Sequence, residues 1–199
     1  MNFELLVATN NMHKLQEIRK ILSPFHITVY GMKDHNIDIG EVEENGSSYY
    51  ENALIKAKAL QKVTNMPIIA DDSGLEIDAL NGQPGLHSAR FAESFGGHDK
   101  AIEYIINECN GKTRSARFVC NIVLVNVEDK PLCFEAIVEG RIAESKLGTG
   151  GFGYDPVFIE NTLNKRYAEM SEDEKNSVSH RGRALKKLLT YLMINGRAY

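Results

Sequence analysis

The N-terminal segment constrains the fold most, because it predicts a buried strand, a polar turn and a helix in direct succession. Residues 3–8 are apolar except for Glu4 and predict a buried strand, and Leu15, Ile18 and Leu22 then recur at helical spacing. The polar turn between them, Thr9-Asn10-Asn11, can cap that helix. Strand, loop and helix in this order are the repeating unit of an α/β sheet.

The rest of the chain continues this mixture of elements. Ser48 and Glu51 form a capping-box pattern that opens a helix to about residue 63, with one apolar face made of Tyr50, Ala53, Leu54, Ala57 and Leu60. Residues 26–42 look irregular or weakly strand-like. A short strand at 67–70 is predicted to end in a turn at Asp71–Gly74, and a second strand resumes at 75–79. Further predicted elements are a helix at 98–109, an antiparallel strand pair at 114–127 and 132–142, and a last helix that buries Leu185, Leu188, Leu189 and Leu192.

Composition limits the class of protein. The 199 residues are 43% apolar and 25% charged, which fits a single mixed α/β domain over residues 1–199. A net charge of −4 with no long basic run argues against nucleic-acid binding, and no apolar run is long enough to span a membrane. Three widely spaced cysteines fit neither a zinc site nor a disulfide framework, so we expect buried thiols and a cytoplasmic location.

Two segments combine groups that suit phosphates. Thr9-x-Asn11-x-x-Lys14 lies at a helix start, where backbone N–H groups bind anions and a lysine adds charge. A simple cap with a solvated lysine explains this segment equally well. Asn52 and Lys56 share a helix face after the acidic run Glu41–Glu44, although taken alone a solvated acidic loop is the simpler explanation.

Asp71-Asp72-Ser73-Gly74 is the strongest local signal. Two adjacent acids follow an apolar strand, and α/β sheets place ligand sites at the carboxyl ends of strands. Mg²⁺ typically takes one or two protein carboxylates and completes its shell with phosphate oxygens and water. The alternative is a polar turn between two strands, with Gly74 allowing the chain to bend sharply.

Two later segments suit a base. In the glycine-rich run Gly148–Asp155, Phe152 and Tyr154 could stack on an aromatic ligand. Ser171 and Glu174 form a capping-box pattern before Lys175, and Ser179 is placed to cap the last helix. That helix opens with His180-Arg181, whose donors suit an acceptor-rich ligand edge, although ordinary polar residues of a capped helix explain them equally well.

Six motifs occur in one order along nearly the whole chain, and this ordered set resembles the Ham1 family of inosine/xanthosine triphosphate pyrophosphatases. The motifs are Thr9-x-Asn11-x-x-Lys14, Glu51-Asn52-Ala53-x-x-Lys56-Ala57, Ala70-Asp71-Asp72-Ser73-Gly74, Pro84-Gly85-x-x-Ser88-Ala89-Arg90, Gly151-Phe152-Gly153-Tyr154-Asp155-Pro156 and Ser179-His180-Arg181. The resemblance implies a long mixed twisted sheet flanked by helices, with two lobes and a central cleft. It also implies a homodimer that uses Mg²⁺.

The resemblance also implies residue roles. Asp72 matches the proton acceptor and, with Glu43, the metal ligands, although Glu41 and Glu44 lie beside Glu43. The triphosphate loop corresponds to Thr9, Asn10, Asn11, Met12, His13 and Lys14. Further substrate contacts correspond to Asn52, Lys56, Ser73, Arg90 and Lys175, and the base-binding elements to Phe152, Gly153, Tyr154, Asp155, His180 and Arg181.

The implied activity is hydrolysis of ITP, dITP and XTP to the monophosphate and pyrophosphate, which would cleanse the nucleotide pool. The nearest alternative is a Maf-type pyrophosphatase for pyrimidine or methylated nucleotides, against which the Phe152–Asp155 and Ser179–Arg181 motifs speak. A catalytically silent nucleotide-binding regulator on the same fold is the other, and the presence of Lys14, Asp72 and Lys175 speaks against it.

Overall fold

The computed structural model describes residues 3–198, and these residues form seven strands and six α-helices. The strands are β1 (Phe3–Val7), β2 (Ile27–Gly31), β3 (Ile68–Ile77), β4 (Ser115–Val125), β5 (Leu132–Ile142), β6 (Phe158–Glu160) and β7 (Lys165–Arg166). The helices are α1 (Met12–Leu22), α2 (Tyr49–Gln61), α3 (Ser88–Ser94), α4 (His98–Glu108), α5 (Glu172–Val178) and α6 (His180–Ile194). The α/β prediction is confirmed.

All seven strands belong to one mixed sheet in the order β2-β1-β3-β4-β5-β6-β7. Strand β1 pairs in parallel with β2 and with β3, whereas β6 pairs antiparallel with β5 and with β7. Strands β4 and β5 are neighbours joined only by residues 126–131, and so short a connection makes an antiparallel pair. The long mixed sheet predicted from the sequence is therefore confirmed.

The chain divides into two compact units. Unit 1 contains the residues up to Asp72, Cys120–Ala136 and the residues from Arg181 onward. Unit 2 contains Ser73–Val119 and Ile137–His180.

In unit 1, alternate residues of the strands bury their side chains on opposite faces of the sheet. One core contains Leu5, Val7 and Ile69 and packs against α1 and α6. The other core contains Leu6 and Ile68 and packs against α2. Because side chains alternate along a strand, Asp71 must follow Ile69 to the first face and Asp72 must follow Ile68 to the second. Two neighbouring acids thereby receive different surroundings.

The core of unit 2 is rich in aromatic side chains. Phe158 and Tyr167 are fully buried, and Phe118 packs against both rings at centroid distances of 4.7 and 5.7 Å. Buried apolar residues of β3, β4, β5 and α4 complete this core. Packed aromatic rings of this kind hold neighbouring side chains in defined orientations.

The predicted turn at Asp71–Gly74 is wrong, because β3 runs without interruption from Ile68 to Ile77. Gly74 does not have a positive φ, so it makes no left-handed turn in the chain. A Cβ built at Gly74 would lie 2.1 Å from the carbonyl oxygen of Gly85. The glycine therefore serves the close approach of a second backbone segment to the strand.

We expect Gly74→Ala to lower the free energy of unfolding by about 1–3 kcal/mol or more, because the added methyl group meets rigid backbone. Gly150→Ala is the control, since its Cβ would meet the backbone oxygen of Ala168 at 3.2 Å, a contact that a shift of a few tenths of an ångström would relieve. That variant should shift stability by less than about 1 kcal/mol. Urea unfolding of both variants checks the prediction, and equal stabilities would contradict it.

Three smaller predictions need correction. Residues 26–42 contain a regular strand, β2, whose five residues all pair with β1. In α2 the buried aromatic residue is Tyr49, whereas Tyr50 is exposed, because the inward spacing runs through Tyr49, Ala53 and Ala57. Cys133 is exposed, whereas the other two cysteines are buried as expected.

The helices at 98–109 and after Ser179 and the strands at 114–127 and 132–142 are confirmed to within a few residues. Within residues 3–198, no helix combines the length and the apolar character that crossing a bilayer requires.

Candidate active site

The first segment that was predicted to bind phosphate lies at the start of α1. The side chain of Asn11 caps the helix by accepting a hydrogen bond from the backbone N–H of Lys14 at 3.1 Å. Thr9 Oγ1 accepts from the N–H of Asn11, also at 3.1 Å. The ammonium of Lys14 forms an ion pair with Asp71. This acid explains why a lysine is tolerated at a helix start, where the dipole disfavours cations.

Asp71 is the centre of a buried charge network in unit 1. Its side chain is 0% exposed, and its Oδ2 accepts from Arg181 Nε at 3.0 Å and from the Cys120 thiol at 3.1 Å. Arg181 Nη1 also donates to Glu17 Oε2 at 2.5 Å. Two acids therefore face Arg181 and two cations face Asp71, which is the pairing that a buried charge requires.

Asp72 has its own set of partners on the opposite face of β3. Lys56 Nζ donates to Asp72 Oδ1 at 3.0 Å and to Glu44 Oε2 at 2.9 Å. The buried Asn52 accepts from the N–H of Gly46 at 2.8 Å, and its Nδ2 lies 3.5 Å from Asp72 Oδ2. Helix α2 thus presents Asn52 and Lys56, one turn apart, to the same carboxylate.

The two adjacent acids differ in electrostatics. Burial would raise the pKa of Asp71, but Arg181 and Lys14 outweigh it and hold that pKa well below its ordinary value. Burial raises the pKa of Asp72 to about 6, although Lys56 and Lys14 act to lower it. Burial would lower the pKa of Lys56, but Asp72 and Glu44 raise it. Asp71 is a stably ionised structural anion, whereas the charge of Asp72 is held at a cost.

The donor set around Asp72 fits a hard divalent ion. Residues 3–198 contain no group of three or more His, Cys, Asp or Glu side chains arranged as a metal cage. Mg²⁺ does not need such a cage, because one or two carboxylates with phosphate oxygens and water suffice. Asp72 and the nearby Glu44 supply oxygen ligands of this kind, whereas Glu43 has an exposed side chain. The assignment of Glu43 as a ligand stays a prediction.

In unit 2, the glycine-rich loop is tied to Asp155. Asp155 Oδ2 accepts from the backbone N–H of Phe152 at 2.8 Å and from Lys175 Nζ at 2.6 Å. Lys175 belongs to α5, whose predicted capping box between Ser171 and Glu174 is confirmed. Its ammonium lies 4.7 Å from the centroid of the Phe152 ring. Three of the predicted substrate contacts are therefore neighbours.

Tyr154 behaves differently from Phe152. Its side chain is buried, and its hydroxyl donates to the backbone carbonyl of Ser88 at 2.7 Å. Burial raises the pKa of this hydroxyl. The prediction that the Tyr154 ring stacks on a base is wrong, because the ring belongs to the core of unit 2. A role for its backbone stays a prediction.

The imidazole of His180 is also held by aromatic packing in unit 2. Its ring is parallel to that of Phe118, with centroids 4.4 Å apart and planes at 6°. Tyr167 lies 6.2 Å away with its plane at 20°. Such packing restricts the direction in which the in-plane N–H groups of the imidazole can point.

Five further predicted substrate contacts differ in the exposure of their side chains. Met12, His13 and Arg90 have exposed side chains, as does Asn10, and Ser73 is partly buried in β3. Their roles stay predictions. Glu17, which contacts Arg181, and Cys120, which contacts Asp71, were not predicted as site residues, and no local pattern singles out either one.

Residues 5–191 match the sequence model of the Ham1 family. The chain belongs to this family. It is 42% identical over 193 residues to the dITP/XTP pyrophosphatase of Treponema denticola, which covers 95% of this chain and 98% of that protein. It is 43% identical over 190 residues to the dITP/XTP pyrophosphatase of Bacillus anthracis, covering 93% and 94% of the two chains.

Solved structures of the Ham1 family agree with the fold. The Ham1 protein of Staphylococcus aureus matches with a TM-score of 0.84 at 38% identity and covers 96% of this chain and 99% of that one. A Ham1 protein of Coxiella burnetii matches with a TM-score of 0.83 at 36% identity, and it too covers 96% of this chain and 99% of that one. The resemblance inferred from six motifs is confirmed, and none of these relatives favours the Maf-type alternative.

Proposed function

We propose that this Ham1-family chain is a Mg²⁺-dependent nucleoside triphosphate pyrophosphatase acting on dITP, ITP and XTP. The observation that carries the proposal is the cluster on one face of β3, where Asp72 meets Lys56 and Asn52 beside Glu44. The names of the relatives from Treponema denticola and Bacillus anthracis support the choice of substrates.

In this proposal, residues of unit 1 handle the phosphates. Asp72, together with an acid of the Glu41–Glu44 run, would hold the metal. The chemistry that Mg²⁺ supplies in such a site is polarisation of the phosphate oxygens. Asp72 orients the attacking water and accepts its proton, while Lys14 and Lys56 neutralise the departing pyrophosphate.

Residues of unit 2 and the start of α6 would select the base. Hypoxanthine and xanthine carry an acceptor at position 6, whereas adenine carries a donor there. Donors from His180 or Arg181 would pair with the acceptor and remain unpaired against adenine, and a buried site rejects a partner that leaves its donors unpaired. Phe152 would provide a stacking surface for the ring.

We expect the purified protein with Mg²⁺ to convert dITP, ITP and XTP to monophosphate and pyrophosphate, and to favour them over ATP by about 100-fold or more in kcat/KM. Chromatography of the products from parallel incubations with ITP, dITP, XTP, ATP and GTP checks this. Equal turnover of ATP and ITP, or release of diphosphate and orthophosphate, would contradict the proposal. EDTA should abolish turnover, and added Mg²⁺ should restore it.

A cytoplasmic location and a homodimer also belong to the proposal. Three free cysteines, two of them buried, suit a reducing compartment. The homodimer rests on the family resemblance, and light scattering of the purified protein measures it directly.

A further inference from the structure

The carboxylate of Asp155 contacts two groups of its own unit, the backbone N–H of Phe152 and the ammonium of Lys175. Asp155 is 3% exposed, and its Oδ2 accepts from both Phe152 N–H and Lys175 Nζ. Its backbone carbonyl accepts from Ala168 N–H at 3.2 Å, and Ala168 in turn accepts from Gly150 N–H at 3.0 Å. The residue therefore joins the glycine-rich loop to the start of α5 and to residue 168.

The packing around this oxygen explains why the loop contains a glycine at position 151. A Cβ built at Gly151 would lie 1.9 Å from Asp155 Oδ2, and the residue has a φ of +70°. Only a residue without a side chain lets the loop close around the carboxylate in this conformation. The close contact between the loop and the Asp155 carboxylate therefore depends both on the glycine at position 151 and on the acid at position 155.

The two groups that Asp155 holds are those that would touch the substrate. Lys175 Nζ lies within hydrogen-bond distance of the carboxylate and 4.7 Å above the Phe152 ring, which is cation–π range. Losing the negative charge would remove the counter-charge that Asp155 gives to a buried ammonium, and this favours movement of the ammonium toward water. Phe152 would then lose the cation against its ring, and its backbone N–H would keep only a neutral, weaker acceptor.

We infer that Asp155 is a positioning residue, which sets the place of the Phe152 ring and of the Lys175 ammonium for a purine nucleotide without recognising the base itself. This inference rests on the proposed function. It distinguishes Asp155 from a residue that reads the base edge, because a positioning residue supports every purine substrate equally.

The test compares Asp155→Asn with wild type on dITP, dGTP and dATP. We expect KM to rise about tenfold or more for each nucleotide, with kcat and the ranking of the three bases nearly unchanged. A base-dependent change would show that Asp155 contacts the base and would overturn the inference. A fall in kcat at constant KM would indicate a purely structural role and would also overturn it.

A second variant approaches the same oxygen from the opposite side. Gly151→Ala should displace the carboxylate and reproduce the uniform rise in KM, even if Asp155→Asn fails to fold. Thr149→Ala is the matched control, because it shortens an exposed side chain two residues away in the same loop. Its KM should stay within about twofold of wild type. A wild-type KM in Gly151→Ala would overturn the inference.

A readout without turnover separates this inference from the proposed function. The chain contains no tryptophan, so Phe152→Trp introduces a single fluorescent reporter in the loop. Adding Asp155→Asn to this variant should shift its emission and weaken its response to dITP. An unchanged emission would overturn the inference. If wild-type protein fails to hydrolyse dITP, the proposed function falls, while the emission of the two variants still decides whether Asp155 positions the ring.

Discussion

Asp72→Asn is expected to lower kcat for dITP by about 100- to 1,000-fold and to leave the protein folded. The substitution keeps the shape of the side chain but removes the charge that faces Lys56 at 3.0 Å. Phosphoryl-type transfer depends mainly on positioned charges, and removing one preorganised group costs rate in this range. Pyrophosphate release measured at saturating dITP and Mg²⁺ checks the expectation, and wild-type release would remove Asp72 from the mechanism.

The stability of this variant is expected to equal or exceed that of wild type in metal-free buffer. Because burial raises the pKa of Asp72 to about 6, the folded protein binds more protons than the unfolded chain between the ordinary pKa and pH 6. The stability of wild type therefore falls as the pH rises through that window, and at pH 7 the folded protein holds the charged form of Asp72 at a cost in free energy. Asn carries no such charge. A large drop in melting temperature would contradict this account.

The regular elements could be predicted because their apolar patterns are continuous. Helix α4 and strands β4 and β5 have uninterrupted periodic runs, and their observed bounds differ from the predicted ones by only a few residues. Strand β3 could not be predicted whole, because Asp-Asp-Ser-Gly has the composition of a turn. Tertiary pairing overrides that local preference, since both acids receive partners from other elements.

The candidate site could be predicted as a set of residues but not as a set of contacts. Arg181 and Asp71 are 110 positions apart, and nothing in the sequence around either residue indicates their pairing. The sequence also could not decide whether Glu43 or its neighbour Glu44 would ligate the metal. Both lie in an irregular segment without a period, so the sequence does not show that Glu44 contacts Lys56 while Glu43 is exposed.

Asp71→Asn is expected to have the opposite effect from the substitution one position later, lowering the free energy of unfolding by about 3–5 kcal/mol. The side chain of Asp71 is 0% exposed, and its charge compensates both Arg181 and Lys14. Removing Asp71 from this buried ion network takes one counter-charge from both Arg181 and Lys14, which is the costly way to break such a network. Urea unfolding at pH 7 measures the loss, and the exposed Asp78→Asn serves as the control that should change stability by less than about 0.5 kcal/mol.

The pH dependence of that loss gives a sharper test, because the pKa of Asp71 is held well below its ordinary value. A depressed carboxyl pKa stabilises the fold fully above the unfolded value of about 3.9, and this contribution disappears only as the pH falls through the folded pKa. The difference between wild type and Asp71→Asn should therefore be the same at pH 5 and pH 8. A difference that grows steadily across this range would show that another group titrates with the network and that Asp71 is not its stable anion. Equal stabilities of wild type and variant at pH 7 would show that Arg181 and Lys14 find other counter-charges, and the separation of the two neighbouring acids into one structural and one catalytic residue would then fail.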